Sequence, residues 1–134
     1  MPSLNDAYTN TDYFVKGLNK PLKVNEACSL LDALLEQYQK STYAYITAWN
    51  PKSQEIPMEE NLARNIHLLS ELDKLAELKV IPGVGRSTDG SWEEESFLIL
   101  GITKENAHSL ALQFEQTAYL WGEKSGRVNL VFTE

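Results

Sequence analysis

Apolar residues recur along this chain with two periods, and each change of period marks a change of element. From Asn25 to Gln39, Ala27, Leu30, Leu31, Leu34, Leu35 and Tyr38 return at helical spacing, with Asn25 available as N-cap; this predicts a first helix. Thr42 to Trp49 alternates instead, setting Ala44, Ile46 and Ala48 on one face of a strand and Tyr43, Tyr45, Thr47 and Trp49 on the other. Asn50-Pro51 stops the strand, and Pro57 stands where a helix can begin. A long second helix follows to about Leu78. Val80 to Gly85 and Glu95 to Ile102 read as a strand pair around a turn signalled by Asp89-Gly90. Phe97 to Ile102 is nearly continuously apolar, as a strand covered on both faces would be. Thr103 caps a third helix with the stripe Ala107, Leu110, Ala111 and Phe114, and Thr117 to Trp121 with Val128 to Phe132 close a last hairpin. Near the start, Thr11 to Val15 alternates and ends before Gly17, the pattern of an edge strand.

The order β-α-β-α-β-β-α-β-β predicts an α+β fold: a mixed or antiparallel sheet of five to six strands with three helices mainly on one face. No repeat, low-complexity tract or linker divides it, so residues 1–134 read as a single domain. If the helices cover only the small-residue face, the aromatic residues Tyr43, Tyr45, Tyr119 and Trp121 need another cover. The N-terminal segment, a second copy in a homodimer, or a protein partner would each serve.

The second helix carries an anomaly. At roughly 100° per residue, Leu62, Ile66, Leu68, Leu69, Leu72, Leu75 and Ala76 define its apolar stripe, and Asn61 and Asn65 fall within it. A buried amide without partners costs on the order of 1–3 kcal/mol, so each needs hydrogen bonds. Either the pair ties down the Asn50-to-Ile56 loop, or it lines a cleft at the helix N-terminus, where free N–H groups and the dipole favour an anion.

These segments carry a resemblance. Ile46-Thr-Ala-Trp-Asn-Pro51, Glu60-Asn61 with Asn65, Pro82-Gly-Val-Gly85, Asp89 to Phe97, and Phe114-Glu-Gln116 ahead of Leu120-Trp-Gly122 resemble the uncharacterised bacterial family "domain of unknown function 3293". The likeness spans roughly Tyr43 to Thr133, with Glu115 standing where the family pattern has Gly. It implies a bacterial origin and no known activity, cofactor or catalytic residue.

Charge narrows the partners. A net charge of −7 argues against capture of nucleic acid or anionic membranes, which needs clustered Lys and Arg. The longest strongly apolar run, Phe97 to Leu100, cannot cross a bilayer. The N-terminus, Met-Pro-Ser-Leu-Asn-Asp, lacks the basic and apolar regions of a secretory signal. A lone cysteine, Cys28, suits a reducing compartment, so the expected address is cytoplasmic.

No metal and no cofactor is expected. Cys28, His67 and His108 form no spaced ligand set, and both histidines fall off their helices' apolar stripes, as solvated residues do. Gly83-Val-Gly85 has Thr88 in the third glycine position of a nucleotide loop and no helix after it, so its glycines are expected to bend or bulge the strand. Without a Cys or His in a catalytic setting, an enzyme would rely on carboxylates.

Two functions from different classes remain. One is a small binding or regulatory module engaging a polar ligand or protein partner through Thr47, Asn50, Asn61, Asn65, Arg86, Trp92, Ser96 and Gln116. The other is a small enzyme with Glu94 or Glu95 as general acid or base and Arg86 or the helix N-terminus stabilising negative charge. An acidic inhibitor or immunity-type protein is a third alternative. Placement of these segments around one pocket would separate the readings.

Overall fold

A computed structural model describes residues 4–134. The first three residues, part of the stretch read for a targeting signal, lie outside the described residues. The elements are α1 (Leu4–Thr9), β1 (Thr11–Val15), α2 (Ser29–Gln37), β2 (Thr42–Ile46), α3 (Met58–Asp73), β3 (Lys79–Ser87), β4 (Glu93–Leu100), α4 (Lys104–Gln113), β5 (Ala118–Glu123) and β6 (Asn129–Phe132). The six strands form one sheet in the order β1-β3-β4-β2-β5-β6, with every neighbouring pair antiparallel. The α+β architecture expected from the sequence is present. One element was not expected: α1 falls where the apolar pattern predicts nothing.

Both faces of the sheet are covered. On one face α3 and α4 bring Leu68, Leu72, Ala107, Leu110 and Ala111 onto Ala44, Ile46 and Ile99. On the other, Leu31 and Leu35 of α2 join Leu22, Val24 and Val128 over Tyr43, Tyr45, Leu98 and Leu100. The nearly unbroken apolar run of β4 follows from this double covering. Register also corrects the grouping of aromatics offered as a homodimer face. Trp121 stands opposite Ala44, and Tyr119 packs with the α3/α4 cluster, so this pair lies on the face away from Tyr43 and Tyr45. Facing residues of antiparallel neighbours share a side, a pairing that strand alternation alone does not reveal.

Glycines make room for the two tyrosines. The Tyr45 ring crosses β4 above the buried Ser96, and its hydroxyl donates to the Phe14 carbonyl on β1 at 2.8 Å. A Cβ on Gly83 would stand 2.2 Å from that carbonyl and 2.8 Å from the Tyr45 hydroxyl, and one on Gly122 would stand 2.4 Å from the Tyr43 hydroxyl. β3 pairs with β4 residue for residue from Lys79 to Arg86, so the expected bulge at Gly83-Val-Gly85 is absent. Close approach explains the glycine here.

Helix boundaries moved for local reasons. α2 begins at Ser29 with Cys28 as N-cap, because Asn25 takes a left-handed φ of 70° and donates its N–H to Val128. In α3 the buried seam is Asn61, Asn65, Leu68 and Leu72, while Leu62 and Ile66 are exposed at 41% and 68%. The buried stripe is narrower than the apolar one, and the asparagines lie within it. α4 is capped as expected, with the Thr103 hydroxyl accepting from Asn106 N–H at 3.1 Å.

Candidate functional site

At Thr47 the chain leaves the sheet, and four side chains hold its path. Asn65 accepts from the Ala48 N–H at 2.8 Å and from the Thr47 hydroxyl at 3.4 Å, and donates to the Glu95 carbonyl at 2.9 Å. Asn61 accepts from the Asn50 N–H at 2.7 Å and donates to the Asn50 side-chain oxygen at 2.9 Å and the Ile56 carbonyl at 3.4 Å. Arg64 donates to the carbonyls of Ala48 and Phe114 at 2.7 and 2.5 Å, and Gln116 donates to those of Trp49 and Phe114 at 3.0 and 3.2 Å. Asn50 itself is left-handed, with φ 45°, so the chain reverses sharply before Pro51. An irregular buried backbone must satisfy its polar groups somewhere, and these amides supply the partners.

A second device holds Trp92. The Asp89 carboxylate accepts from the Ser91 N–H at 2.9 Å and the Ser87 hydroxyl at 2.7 Å, bonds that hold it down to about 2. Ser87 accepts in turn from the Trp92 N–H at 3.2 Å. The turn is thus braced from inside, and Gly90 supplies its positive φ of 76°.

Trp92 divides two clefts. On the α3 side a cavity of about 420 Å³ is lined by Trp49, Asn50, Met58, Asn61, Trp92 and Glu95 among others. On the tyrosine side a cleft of about 290 Å³ is lined by Ala7, Tyr8, Asn50, Ser53, Glu55, Trp92, Glu94 and Gln116. Beneath it a small space of about 30 Å³ reaches Tyr13, Tyr45, Thr47 and Ser96. α1 forms one wall and is pinned there: Thr11 and Tyr13 donate their hydroxyls to the carbonyls of Ala7 and Tyr8 at 2.7 and 3.0 Å, and the Tyr8 ring meets Phe132 edge-on.

Glu94 is the distinctive group. Strand alternation sends it to the tyrosine face, while Glu93 and Glu95 point to the other. Burial pushes its carboxyl up to about 7, against a smaller opposing pull from the Asn50 side chain. The Asn50 oxygen is already occupied by Asn61 and the Ile56 N–H. Burial also raises Tyr8, Tyr13 and Tyr45, with the Glu94 charge a further contributor, so the phenols stay neutral.

The expected residues therefore meet at one end of the sheet in distinct roles. Asn50, Trp92, Glu94 and Gln116 line the tyrosine-side cleft; Thr47 and Ser96 lie beneath it. Asn61 and Asn65 direct their amides to backbone groups and to the Asn50 and Thr47 side chains. Arg86 lies on the opposite face, paired with Glu93 at 2.6 Å and stacked 5.6 Å from the Phe14 ring, so it does not reach Glu94. His108 departs from its expected solvation, sharing a hydrogen bond of 2.9 Å with Tyr119. Sequence reasoning missed Tyr8, Ser53 and Glu55 as cleft residues; the Tyr8 signal lay in a short N-terminal segment without periodicity. Among the described residues, no cluster of three or more His, Cys, Asp or Glu could hold a metal ion.

The profile of the family described as "Protein of unknown function (DUF3293)" matches residues 46–119, just over half of the chain. The chain belongs to this family. The DUF3293 match runs from the chain departure at Ile46 through α3 and the Trp92 turn to Tyr119. None of the curated proteins matches the sequence. Among solved structures, a phage SAM lyase in complex with S-methyl-5′-thioadenosine is similar at 13% identity and a TM-score of 0.33, over 87% of this chain and 96% of that one. A likeness of that size carries no argument about the cleft. Among the described residues, no helix is long and apolar enough to cross a membrane.

Proposed function

We propose that this chain is a single-domain, cytoplasmic module that binds a small polar molecule in the cleft between α1, the Pro51–Ser53 turn and Trp92. One observation carries the reading: a half-buried carboxyl, Glu94, with no lysine or arginine among the described residues that line its cleft. Burial without a counter-ion works against stability, and groups retained at such a cost concentrate at functional sites. Tyr8, Asn50, Trp92, Glu94 and Gln116 contact the ligand in this reading. Thr47, Asn61, Asn65 and Ser96 hold the frame, while Arg86 and Glu95 act only through the Trp92 turn. The free Cys28 supports the cytoplasmic address.

The test is to equilibrate the protein with a low-molecular-weight cell extract and follow the Trp92 indole and Glu94 carboxyl resonances by NMR. A retained compound should shift both, and Trp92→Ala and Glu94→Gln should each weaken its binding. A compound bound equally well by both variants would move the site elsewhere.

A second reading is favoured by the proton affinity of Glu94. A carboxyl at about 7 divides its time between acid and base near neutrality, as general acid–base catalysis requires. Recovery of the compound altered from wild type and intact from Glu94→Gln makes the protein an enzyme. Intact recovery from both makes it a binding module.

A further inference from the structure

The tyrosine-side cleft is electrically one-sided. Among the described residues its charged lining is Glu55 at the exposed rim and Glu94 within. Cations placed close by in the sequence are engaged elsewhere, Lys52 with Glu115, Arg86 with Glu93 and Arg64 with the Ala48 and Phe114 carbonyls. Aromatic rings face the same space, Trp92 and Tyr8 on the walls and Tyr13 and Tyr45 below. Ring faces carry negative potential, and a cation over one gains about 0.5–2 kcal/mol, more when water is excluded. An anion would meet two carboxylates with no lysine or arginine among the described lining residues to offset them, and a neutral molecule would gain from neither feature. The volume of about 290 Å³ lies at the small end of ligand pockets, which suits a fragment-sized compound.

We propose that this cleft takes a small organic cation, held between the Trp92 and Tyr8 rings with Glu94 as its counter-ion. The assignment rests on the reading of the cleft as the binding site and adds the chemical class of the ligand. It also explains why a carboxyl is kept where burial opposes its charge: the bound cation completes an ion pair for which the described lining residues supply no partner. Proton linkage gives a second signature. A cation favours charged Glu94, so binding strengthens as pH rises through about 7. Of the groups facing Glu94, Asn50 does not titrate, Tyr8, Tyr13 and Tyr45 are pushed upward away from neutrality, and Glu55 adds further negative charge at the rim.

The experiment titrates the full chain with two matched sets. One is benzamidine, benzamide and benzoate; the other is choline, its uncharged analogue with carbon in place of nitrogen, and tert-butylacetate. Binding is read from the Trp92 indole and Glu94 carboxyl resonances. In at least one set the cation should bind roughly tenfold or more tightly than its neutral partner, and more tightly at about pH 8 than at about pH 5.5. That preference should collapse in Glu94→Gln. Trp92→Leu should weaken the cation as well, and it keeps the test decisive if Glu94→Gln fails to fold. A neutral or anionic member that binds as tightly as the cation while shifting Trp92 overturns the ligand class and leaves the cleft a binding site. Silence from every compound in both sets at millimolar concentration overturns the class and the site together.

Discussion

Two polar regions flank the start of β4, and they differ in what their polar atoms are doing. On one side Asn61 and Asn65, 2% and 5% exposed, spend both ends of their amides on Ala48, Asn50, Ile56 and Glu95. On the other, Glu94 sits half-buried beside neutral phenols and the amides of Asn50 and Gln116, with no lysine or arginine among the described residues that line its cleft. The first region has closed its account internally, and its chemistry is that of a brace. The second retains unused electrostatic capacity, which something from outside can complete. Burial alone would have ranked the asparagines first; hydrogen-bond satisfaction reverses the order.

The sharpest way to break this comparison is to remove the brace. Asn65→Ala leaves the Ala48 N–H without its acceptor and takes from the Glu95 carbonyl one of its two donors, the Thr47 hydroxyl at 2.6 Å remaining; together these losses should cost about 3 kcal/mol and lower Tm by roughly 10 °C. Asn61→Ala leaves the Asn50 N–H without its acceptor and should cost about 2 kcal/mol. Chemical denaturation measures both. A loss below about half a kilocalorie for either would mean water replaces the amide easily, and the brace would then be a hydrated site like its neighbour.

Glu94→Gln should move the other way. In the folded protein the carboxyl holds its proton up to about 7, against an ordinary value of 4.5. Between those two values the folded state binds more protons than the unfolded one, so stability falls as pH rises through this window and stays reduced above it. Neutral Gln removes that loss. The variant should gain about 1 kcal/mol at about pH 8 and little at about pH 5, a figure well below the full linkage value because partial exposure screens the charge. Unfolding at the two pH values checks it, and a gain equal at both would show that Glu94 titrates ordinarily.

Much of this arrangement is legible in the sequence, and most of what is not has one cause. Spacing located three helices and the strands, and the helical phase of Asn61 and Asn65 picked out a buried amide pair. The resemblance pointed to the family that the chain belongs to. Alternation within a strand gives two faces but never says which face of one strand joins which face of the next. That is a matter of register, and it misassigned Tyr119 and Trp121 and left Arg86 beside Glu94 in expectation. The Glu93-Glu94-Glu95 run shows the same limit. Three identical side chains are distinguishable only once pairing turns the middle one inward. Tyr8 was hidden for another reason, since α1 has six residues, too short for periodicity to register.

The smallest expected effect tests where the brace ends. Glu115 adopts φ 57°, the left-handed conformation after α4. The Gln116 N–H returns to Ala111 at 2.9 Å and the Glu115 N–H to Leu112 at 3.1 Å, the paired bonds of a helix ending that favours glycine. A side chain in this conformation costs about 1 kcal/mol relative to glycine. Against that, Glu115 lies 3.5 Å from Lys52 and 3.9 Å from Arg64 at the surface, pairs worth a few tenths of a kcal/mol each at most. Glu115→Gly should therefore raise stability by about 0.5 kcal/mol, read from Tm and denaturant midpoint together. A loss of similar size would show that the Glu115 carboxylate positions Arg64. The brace would then include an ionic arm reaching from α3 to the end of α4, and its contrast with the lone charge of Glu94 would rest on geometry more than on polarity.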